Sequence, residues 1–588
     1  MRATEGTSLS LSVTHLVRSG TGKHRRPRGI RGRRAGRSTG PGTQRDTTQL
    51  LLRPRLASHV QVHAPVEDGS PWIVQSGQAK YMRVGADMGR LLTVLDGARD
   101  RRALVETLGP PWNEAVLDGV VGKLNAQGLL DDGTEHRQSG TWFKWVPPMT
   151  LQFTVIKPHW LLSRLTPVIR LLANKAGAAL GILILAGGLL SLLLQAPALT
   201  TALGEPVSFT VLLAVFAATL ATTALHEMGH GAVLTHYGGR PSRMGFMLFY
   251  LSPAFFCDVS DGWRLPRKEQ RTHVALAGIA TQLVIGMGAA ITALAVGGPS
   301  GESALHTGLL VFAVSTSVTG LLNFVPFVKL DGYLALMSHF DVSHLRDHAM
   351  TDARRWVAGV LFGGRYTREL PQLSWSVPFG LACMVFPLYL VGVAATLWTD
   401  VFTGLGITGA IILGCGLCYL LYRAGLGCKK LVQEARSAGA GFGRITVVGV
   451  LAAGALTAAL TLIQIPYTVT GGFVQKDGRV DLVIADSGDI DAVHKGSRVE
   501  LVKRGMILRK DLATTTLGEV RPRQGEAPLS AFLPVKEGSR YPVPAARIPL
   551  GTVDALPPSV KVGMAQIDAG ERPLGQWLYL KYVAPSLR

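Results

Sequence analysis

The stretch Pro206-Val-Ser-Phe-Thr-Val-Leu-Leu-Ala-Val-Phe-Ala-Ala-Thr-Leu-Ala-Thr-Thr-Ala-Leu225-His226-Glu227-Met228-Gly229-His230 runs twenty residues without a charge and then ends in two histidines and a glutamate. Twenty mostly apolar residues suffice to cross ~30 Å of hydrocarbon as a helix. Six more uncharged runs of comparable length lie at 176–204, 274–301, 303–328, 371–399, 401–422 and 445–475. Lipid offers backbone amides no water, and none of the runs alternates like a barrel strand, so each is predicted to be helical. The reading is an all-α polytopic membrane protein with about seven transmembrane helices, flanked by an N-terminal winged-helix-like domain and a small C-terminal β domain.

Composition agrees. Of 588 residues 47% are hydrophobic and only 17% charged, and the mean hydropathy is +0.26. That excludes a wholly disordered chain, and the length excludes one ordinary soluble domain. The net charge of +21 is uneven, since residues 1–55 hold 13 Lys and Arg, with Arg25, Arg26, Arg28 and Arg31 among them, against Glu5 and Asp46. This Gly/Arg/Ser-rich tail is expected to be a disordered arm or sequence upstream of the true start, with anionic lipid or nucleic acid as its alternative contact. No apolar segment of the kind a secretory signal needs follows it. Five cysteines make no disulfide framework, and Cys415-x-x-Cys418, inside an uncharged run, reads as packing rather than redox or metal chemistry.

The connections between runs are one-sided. Those after the second, fourth and sixth carry Arg240, Arg243, Arg264, Arg267, Lys268 and Arg271, then Lys329, Arg346, Arg354, Arg355, Arg365 and Arg368, then Arg423, Lys429, Lys430, Arg436 and Arg444. Those after the first, third and fifth carry no Lys or Arg. Basic connections stay cytoplasmic, which predicts a cytoplasmic N-terminus and ~120 C-terminal residues outside. Organisation follows: a basic tail 1–55, a soluble domain 56–135, a linker 136–175, a membrane domain 176–466 and an outer β-rich domain 467–588. Within the linker, Trp142-Phe-Lys-Trp145 and Trp160 with Arg164 and Arg170 suit a segment at the headgroup level.

On a helix, His226 and His230 lie about 40° apart around the axis, so both imidazoles reach one metal ion. Glu227 beside them can take a proton from a water that zinc acidifies toward pKa ~7. A chance match is disfavoured by its place, because ionisable groups at the end of a bilayer span are costly unless they have partners. A catalytic zinc needs a third protein ligand. One candidate is His236, although on a continuing helix it points away from the His226/His230 face. The other is Asp331, at the end of Asn323-Phe-Val-Pro326-Phe-Val-Lys-Leu330-Asp331-Gly332, where a proline and a glycine break the helix and leave a carboxylate at membrane depth.

The pair His226-Glu227-x-x-His230 and Asn323-x-x-Pro326-x-x-x-Leu330-Asp331-Gly332 resembles the paired signatures of the site-2 protease family of intramembrane zinc metalloproteases, over residues ~206 to 338. The resemblance implies one Zn²⁺ per chain held by His226, His230 and Asp331, Glu227 as catalytic acid/base, and Asn323 holding substrate or the developing oxyanion. Between the motifs, Met244-Gly-Phe-Met-Leu-Phe-Tyr250-Leu-Ser-Pro253-Ala-Phe-Phe-Cys257-Asp258 is too short for a span and suits an extended hairpin dipping into the membrane. It is similar to that family's substrate-presenting hairpin, on which a peptide pairs as an added strand. Asp258 reads as the point of return to water, with Asp261 and Trp263, and a functional role is its alternative.

In residues 56–135, His59-Val-Gln-Val62-His and Trp72-Ile-Val-Gln read as strands, and Leu91-Leu92-x-x-Leu95 and Val116-x-x-x-Val120-Val121-x-x-Leu124 as helices. With Leu95-Asp96-Gly97 and Gly128-Leu129-Leu130 this resembles the PqqD-like domain that captures leader peptides in ribosomal peptide maturation; a DNA-binding winged helix is the alternative, weakened by the lack of a basic stripe. The outer domain, with Arg479-Val-Asp-Leu-Val-Ile-Ala485, reads as short strands and loosely resembles HlyD-type membrane fusion proteins around Asp486-Ser-Gly-Asp489 and Lys495-Gly-Ser-Arg-Val499. The resemblances together imply a peptide-maturing zinc endopeptidase of the bacterial cell membrane. Its expected partners are a precursor peptide or its leader, membrane lipids and an export or modifying-enzyme complex, with no nucleic acid. The rivals are a non-enzymatic adaptor or exporter subunit, and a regulatory protease acting on an anti-sigma-type membrane protein.

Overall fold

The computed structural model describes residues 52–584 apart from 66–71, 78–79, 132–141, 147–149, 250–251, 298–302, 405–406, 486–489, 506–507, 534, 537–541 and 554–555. The basic tail to residue 51 and the Asp486–Asp489 stretch lie outside the described residues. Among the described residues seven helices are long and apolar enough to cross a membrane: Lys175–Leu194, Phe209–His236, Lys268–Val296, Ala304–Asn323, Ser376–Val393, Ile411–Ser437 and Phe442–Leu462, here called spans one to seven. The spans agree with the expected helical membrane domain, and a seven-stranded sheet stands where the sequence predicts a C-terminal β domain. The described residues are about 57% helical and also form sheets of three, four and seven strands.

Contacts divide the chain into two units, one of residues up to 180 with 222–281 and 338–340, the other of 181–221, 282–337 and 341–588. The first unit begins with an antiparallel sheet of β1 (Val60–His63), β2 (Trp72–Ser76) and β3 (Lys80–Val84), followed by helices Ala86–Val94, Arg101–Leu108 and Glu114–Ala126. Asp100 and Asn113 cap the second and third helices by accepting from the N–H groups of Ala103 and Val116. Val74, Leu91, Leu92, Leu104, Leu117 and Val121 fill the core between sheet and helices. Burying each such side chain fully is worth about 1.5–3 kcal/mol.

The expected linker is folded instead. Residues 143–156 form β4 (Phe143–Val146) and β5 (Thr150–Ile156), which join β6 (Met244–Phe249) and β7 (Ser252–Cys257) in a sheet of order β4-β5-β6-β7. The predicted hairpin is therefore present as β6 and β7, and β5 pairs it on one side with Phe153 opposite Phe246. The reason is local to neither segment: Thr150-Leu-Gln-Phe-Thr-Val-Ile156 is rich in β-forming residues and finds its partner some ninety residues on.

In the second unit, buried Gln195 and His306 hydrogen-bond at 2.9 Å, and Gln195 also donates to the carbonyls of Ser191 and Ala290, satisfying a polar pair among apolar helices. Span seven ends at Leu462, and β8 (Gln464–Lys476) begins at once, so the uncharged run 445–475 overshoots the helix by thirteen residues. Pro466, Tyr467, Val469 and their threonine neighbours are an uncharged strand, with the alternating burial of a sheet that faces water on one side. The C-terminal sheet runs β11 (Arg509–Thr516), β10 (Arg498–Arg504), β14 (Val562–Pro573), β8, β9 (Arg479–Ala485), β13 (Pro542–Gly551), β12 (Arg523–Pro528). Its core holds Phe473, Leu482, Ile484, Leu501, Ile548 and Ile567. It meets the connection between spans one and two, where the N–H groups of Leu508 and Lys536 donate to the carbonyls of Leu203 and Val207, and Lys503 pairs with Glu205 at 2.7 Å.

Candidate metal centre

Span two continues unbroken through the motif to His236. The helical repeat stacks His226 and His230 on one face, with ring centroids 4.9 Å apart, planes at 81° and both side chains buried. His230 Nδ1 lies 2.7 Å from the Val274 carbonyl of span three. A carbonyl only accepts, so Nδ1 carries the proton and the lone pair that a metal needs sits on Nε2. The two Nε2 atoms are 3.2 Å apart, close to the roughly 3.3 Å that two nitrogens have when each sits about 2.05 Å from one tetrahedral zinc. Gly278, one turn beyond Val274, faces the same point: a Cβ there would sit 2.4 Å from His230 Nε2 and 2.6 Å from His226 Nε2. Span three thus supplies both the acceptor that orients one imidazole and the gap in which both nitrogens converge.

Asp331 opens the helix Asp331–His339. Span four stops at Asn323, the next turn tightens as the N–H groups of Phe324 and Val325 donate to Leu321 and Leu322, and the chain restarts as helix at Asp331. Gly332 has a different task from the turn expected of it. It lies in the new helix, where a Cβ would come within 2.0 Å of the Phe324 carbonyl oxygen, so only glycine lets the broken ends approach. Arg346 braces the break, its Nε donating to the Phe327 carbonyl at 3.1 Å and its guanidinium also to that of Cys383 at 3.3 Å. One ligand atom each from His226, His230 and Asp331 lie within 4.8 Å of one another, the one group of three or more His, Cys, Asp or Glu of this kind among the described residues. Of the two candidates for third ligand, Asp331 is the one brought in; His236 instead sets its ring edge-on to Tyr237 at 5.1 Å. Two imidazole nitrogens and a carboxylate oxygen suit zinc and neighbouring divalent metals, and leave a fourth tetrahedral position open.

Glu227, next to His226, accepts at Oε2 from the Cys257 N–H at 2.8 Å. Cys257 is the last residue of β7, the edge strand of its sheet. The hairpin neck just beyond it is tied by carboxylates. Asp258 accepts from the hydroxyls of Ser242 and Ser260, the Ser260 N–H and Arg243. Burial pushes the Asp258 carboxyl up, but the hydrogen bonds from Ser260 and Ser242 outweigh it and hold it below the usual carboxylate range. Asn323, the last residue of span four, is half-buried and stands eight residues before Asp331.

Gly278, the Val274 carbonyl and the Cys257 N–H are not announced by the sequence. Two are backbone groups, and the only trace of the third is the run of small residues Ala275-Leu-Ala-Gly-Ile-Ala280 that lets helices approach. Comparison of the chain with protein families, with curated proteins and with solved structures gives no match.

Proposed function

We propose that the chain is a zinc metalloendopeptidase set in the membrane, cleaving a peptide precursor, as its resemblance to the site-2 protease family implies. One observation carries the reading: His226, His230 and Asp331 gather their ligand atoms in one place, beside a glutamate already held by a backbone amide. Zinc bound there supplies Lewis acidity to a water and to the scissile carbonyl. The chain's own groups do the rest. Glu227 takes the proton from the attacking water and passes it to the leaving amine. The Cys257 N–H fixes which way that carboxylate faces. Among the described residues β7 is an edge strand, and that edge offers backbone groups to an extended peptide, while Asn323 steadies substrate or oxyanion.

The N-terminal domain is the proposed PqqD-like receptor for a leader, on the cytoplasmic side of a bacterial cell membrane. Its Tyr81 touches the basic connection after span two, at 2.9 Å from Asp261. The C-terminal domain meets the connection after span one, which is free of Lys and Arg, as an outer placement asks. A role beside export or modifying enzymes follows from the HlyD-like resemblance.

The test is Glu227→Gln, co-expressed with a short precursor from the same gene neighbourhood. Processing is expected to fall about 10²–10⁴-fold while zinc stays at one per chain. Unchanged processing would reject proteolysis in favour of an adaptor or exporter.

A further inference from the structure

The first unit contains an unbroken polar chain from the N-terminal domain to Glu227, and it uses none of the metal ligands. It starts on β3, where the Tyr81 hydroxyl donates to Asp261 Oδ1 at 2.9 Å, while Arg83 on the same side of the strand lies over the Trp263 ring at 5.6 Å. Asp261 is buried. Its second oxygen accepts from the Arg240 N–H at 2.7 Å and from Arg264 at 3.1 Å. Arg240 enters the hairpin and Asp261 and Arg264 leave it, so this carboxylate ties the two strands of the neck to each other and to the N-terminal domain. Asp258 ties the same neck one step nearer the strands of the hairpin, through Ser242 and Arg243 on the entering side and Ser260 on the leaving side. Backbone bonds close it, with the Ser242 N–H donating to Asp258 at 3.1 Å and the Asp258 N–H to Arg243 at 2.7 Å. The residue before Asp258 is Cys257, whose N–H holds Glu227.

We infer that Tyr81 is a positioning residue, by which the N-terminal domain sets the hairpin neck and, through Cys257, the orientation of Glu227. The inference rests on the reading of Glu227 as the proton carrier. It goes beyond that reading in making the soluble domain part of the machinery: a domain that docks through an edge strand onto the neck couples whatever binds that domain to the site. Three features favour coupling over simple anchoring. The contact is made to a carboxylate shared by both neck strands, so its loss loosens both. The Tyr81 hydroxyl is pushed above its ordinary range, first by burial and then by the Asp261 charge, and so stays a donor at all physiological pH. The path to Glu227 passes through hydrogen bonds and short stretches of backbone, with one side-chain bond at each end, from Tyr81 to Asp261 and from the Cys257 N–H to Glu227.

Tyr81→Phe removes one hydroxyl and keeps the ring. In the full chain in nanodiscs, amide hydrogen exchange over residues 244–260 should become about tenfold faster or more, with the C-terminal sheet unchanged. Where peptide cleavage is measured, kcat should fall roughly three- to tenfold with KM and zinc content held. Tyr81→Phe combined with Asp261→Asn should cost no more than Asp261→Asn alone, since both break one contact. Hairpin exchange identical to the parent would overturn the inference, as would loosening spread over the whole chain. If the hairpin loosens as stated while the parent protein cleaves no peptide, the coupling stands and the endopeptidase reading falls.

Discussion

The two regions that bring residues to the candidate metal centre are built by opposite means. His226 and His230 ride on an unbroken helix, and the repeat of 3.6 residues alone puts them on one face. Span three meets them with one carbonyl and one glycine. Asp331 stands where a helix has stopped and another begins, and its place depends on the approach of Gly332 to a carbonyl and on Arg346 reaching two carbonyls. A regular helix stores the position of its side chains in its own backbone. A break has to borrow that information from neighbours, and so is sensitive to changes that touch no ligand.

The largest effect should come from the helical region, at the one place where it has no slack. In Gly278→Ala the added methyl would occupy the gap into which both Nε2 atoms point, at 2.4 and 2.6 Å. Helix propensity favours alanine by about 1 kcal/mol, so the fold is expected to survive while metal content falls from one per chain to near zero, as read by elemental analysis of purified protein. Retention of full metal would show that the imidazoles have room to retreat and that the helical face is less fixed than the contrast asserts.

Gly332→Ala probes the other region. Its methyl meets backbone, at 2.0 Å from the Phe324 oxygen, so the new helix must shift rather than a side chain turn away. Overpacking of this kind costs about 1–3 kcal/mol, and Asp331 moves with the helix it begins. Metal affinity is expected to weaken about 10–100-fold, the scale of disturbing groups that orient a ligand, with the histidines still able to bind. Competition with a chelator measures it; an unaltered affinity would mean that the broken segment adapts and that Arg346 alone holds it.

The same contrast governs what can be read from sequence. Seven spans are legible because the bilayer imposes one rule on every residue it covers. Their ends are less so. Spans two, three and six run on past the uncharged stretches, to His236, back to Lys268 and on to Ser437, because charge marks the edge of hydrocarbon and not the end of a helix. The run after Ile463 is uncharged yet strand, so span seven is too long in sequence. The pair β4–β5 is hidden because its partner β6 lies beyond span two, and the tryptophans around it look interfacial. At the site, His226, Glu227 and His230 are legible from spacing, and Asp331 is preferred to His236 by the helix break and the resemblance; the fold adds that its ligand atom lies with those of the histidines. Gly278 and the Cys257 N–H have meaning only through what lies opposite them.

The smallest effect expected concerns the hairpin neck, a region held by charge rather than by helix. Asp258 has its carboxyl held below the ordinary range of about 3.9. A group with a depressed folded-state pKa adds stability above its unfolded pKa, and that stability is lost as pH falls through the folded value. The neck should therefore be at full strength at neutral pH and weaken only below about pH 4. Asp258→Asn removes the charge and keeps the shape, leaving Ser242, Ser260 and Arg243 with a weaker acceptor. Hydrogen bonds to a charged group are worth about 1.5–3 kcal/mol against about 1 for a neutral one, so a loss on the order of 1 kcal/mol is expected at pH 7, and little at pH 3. Amide exchange of 244–260, followed from pH 7 to pH 3 in parent and variant, should converge at the acid end once corrected for intrinsic exchange. A gap that stays constant with pH would show that the neck is held by shape, as the helical region is, and would erase the distinction between the two.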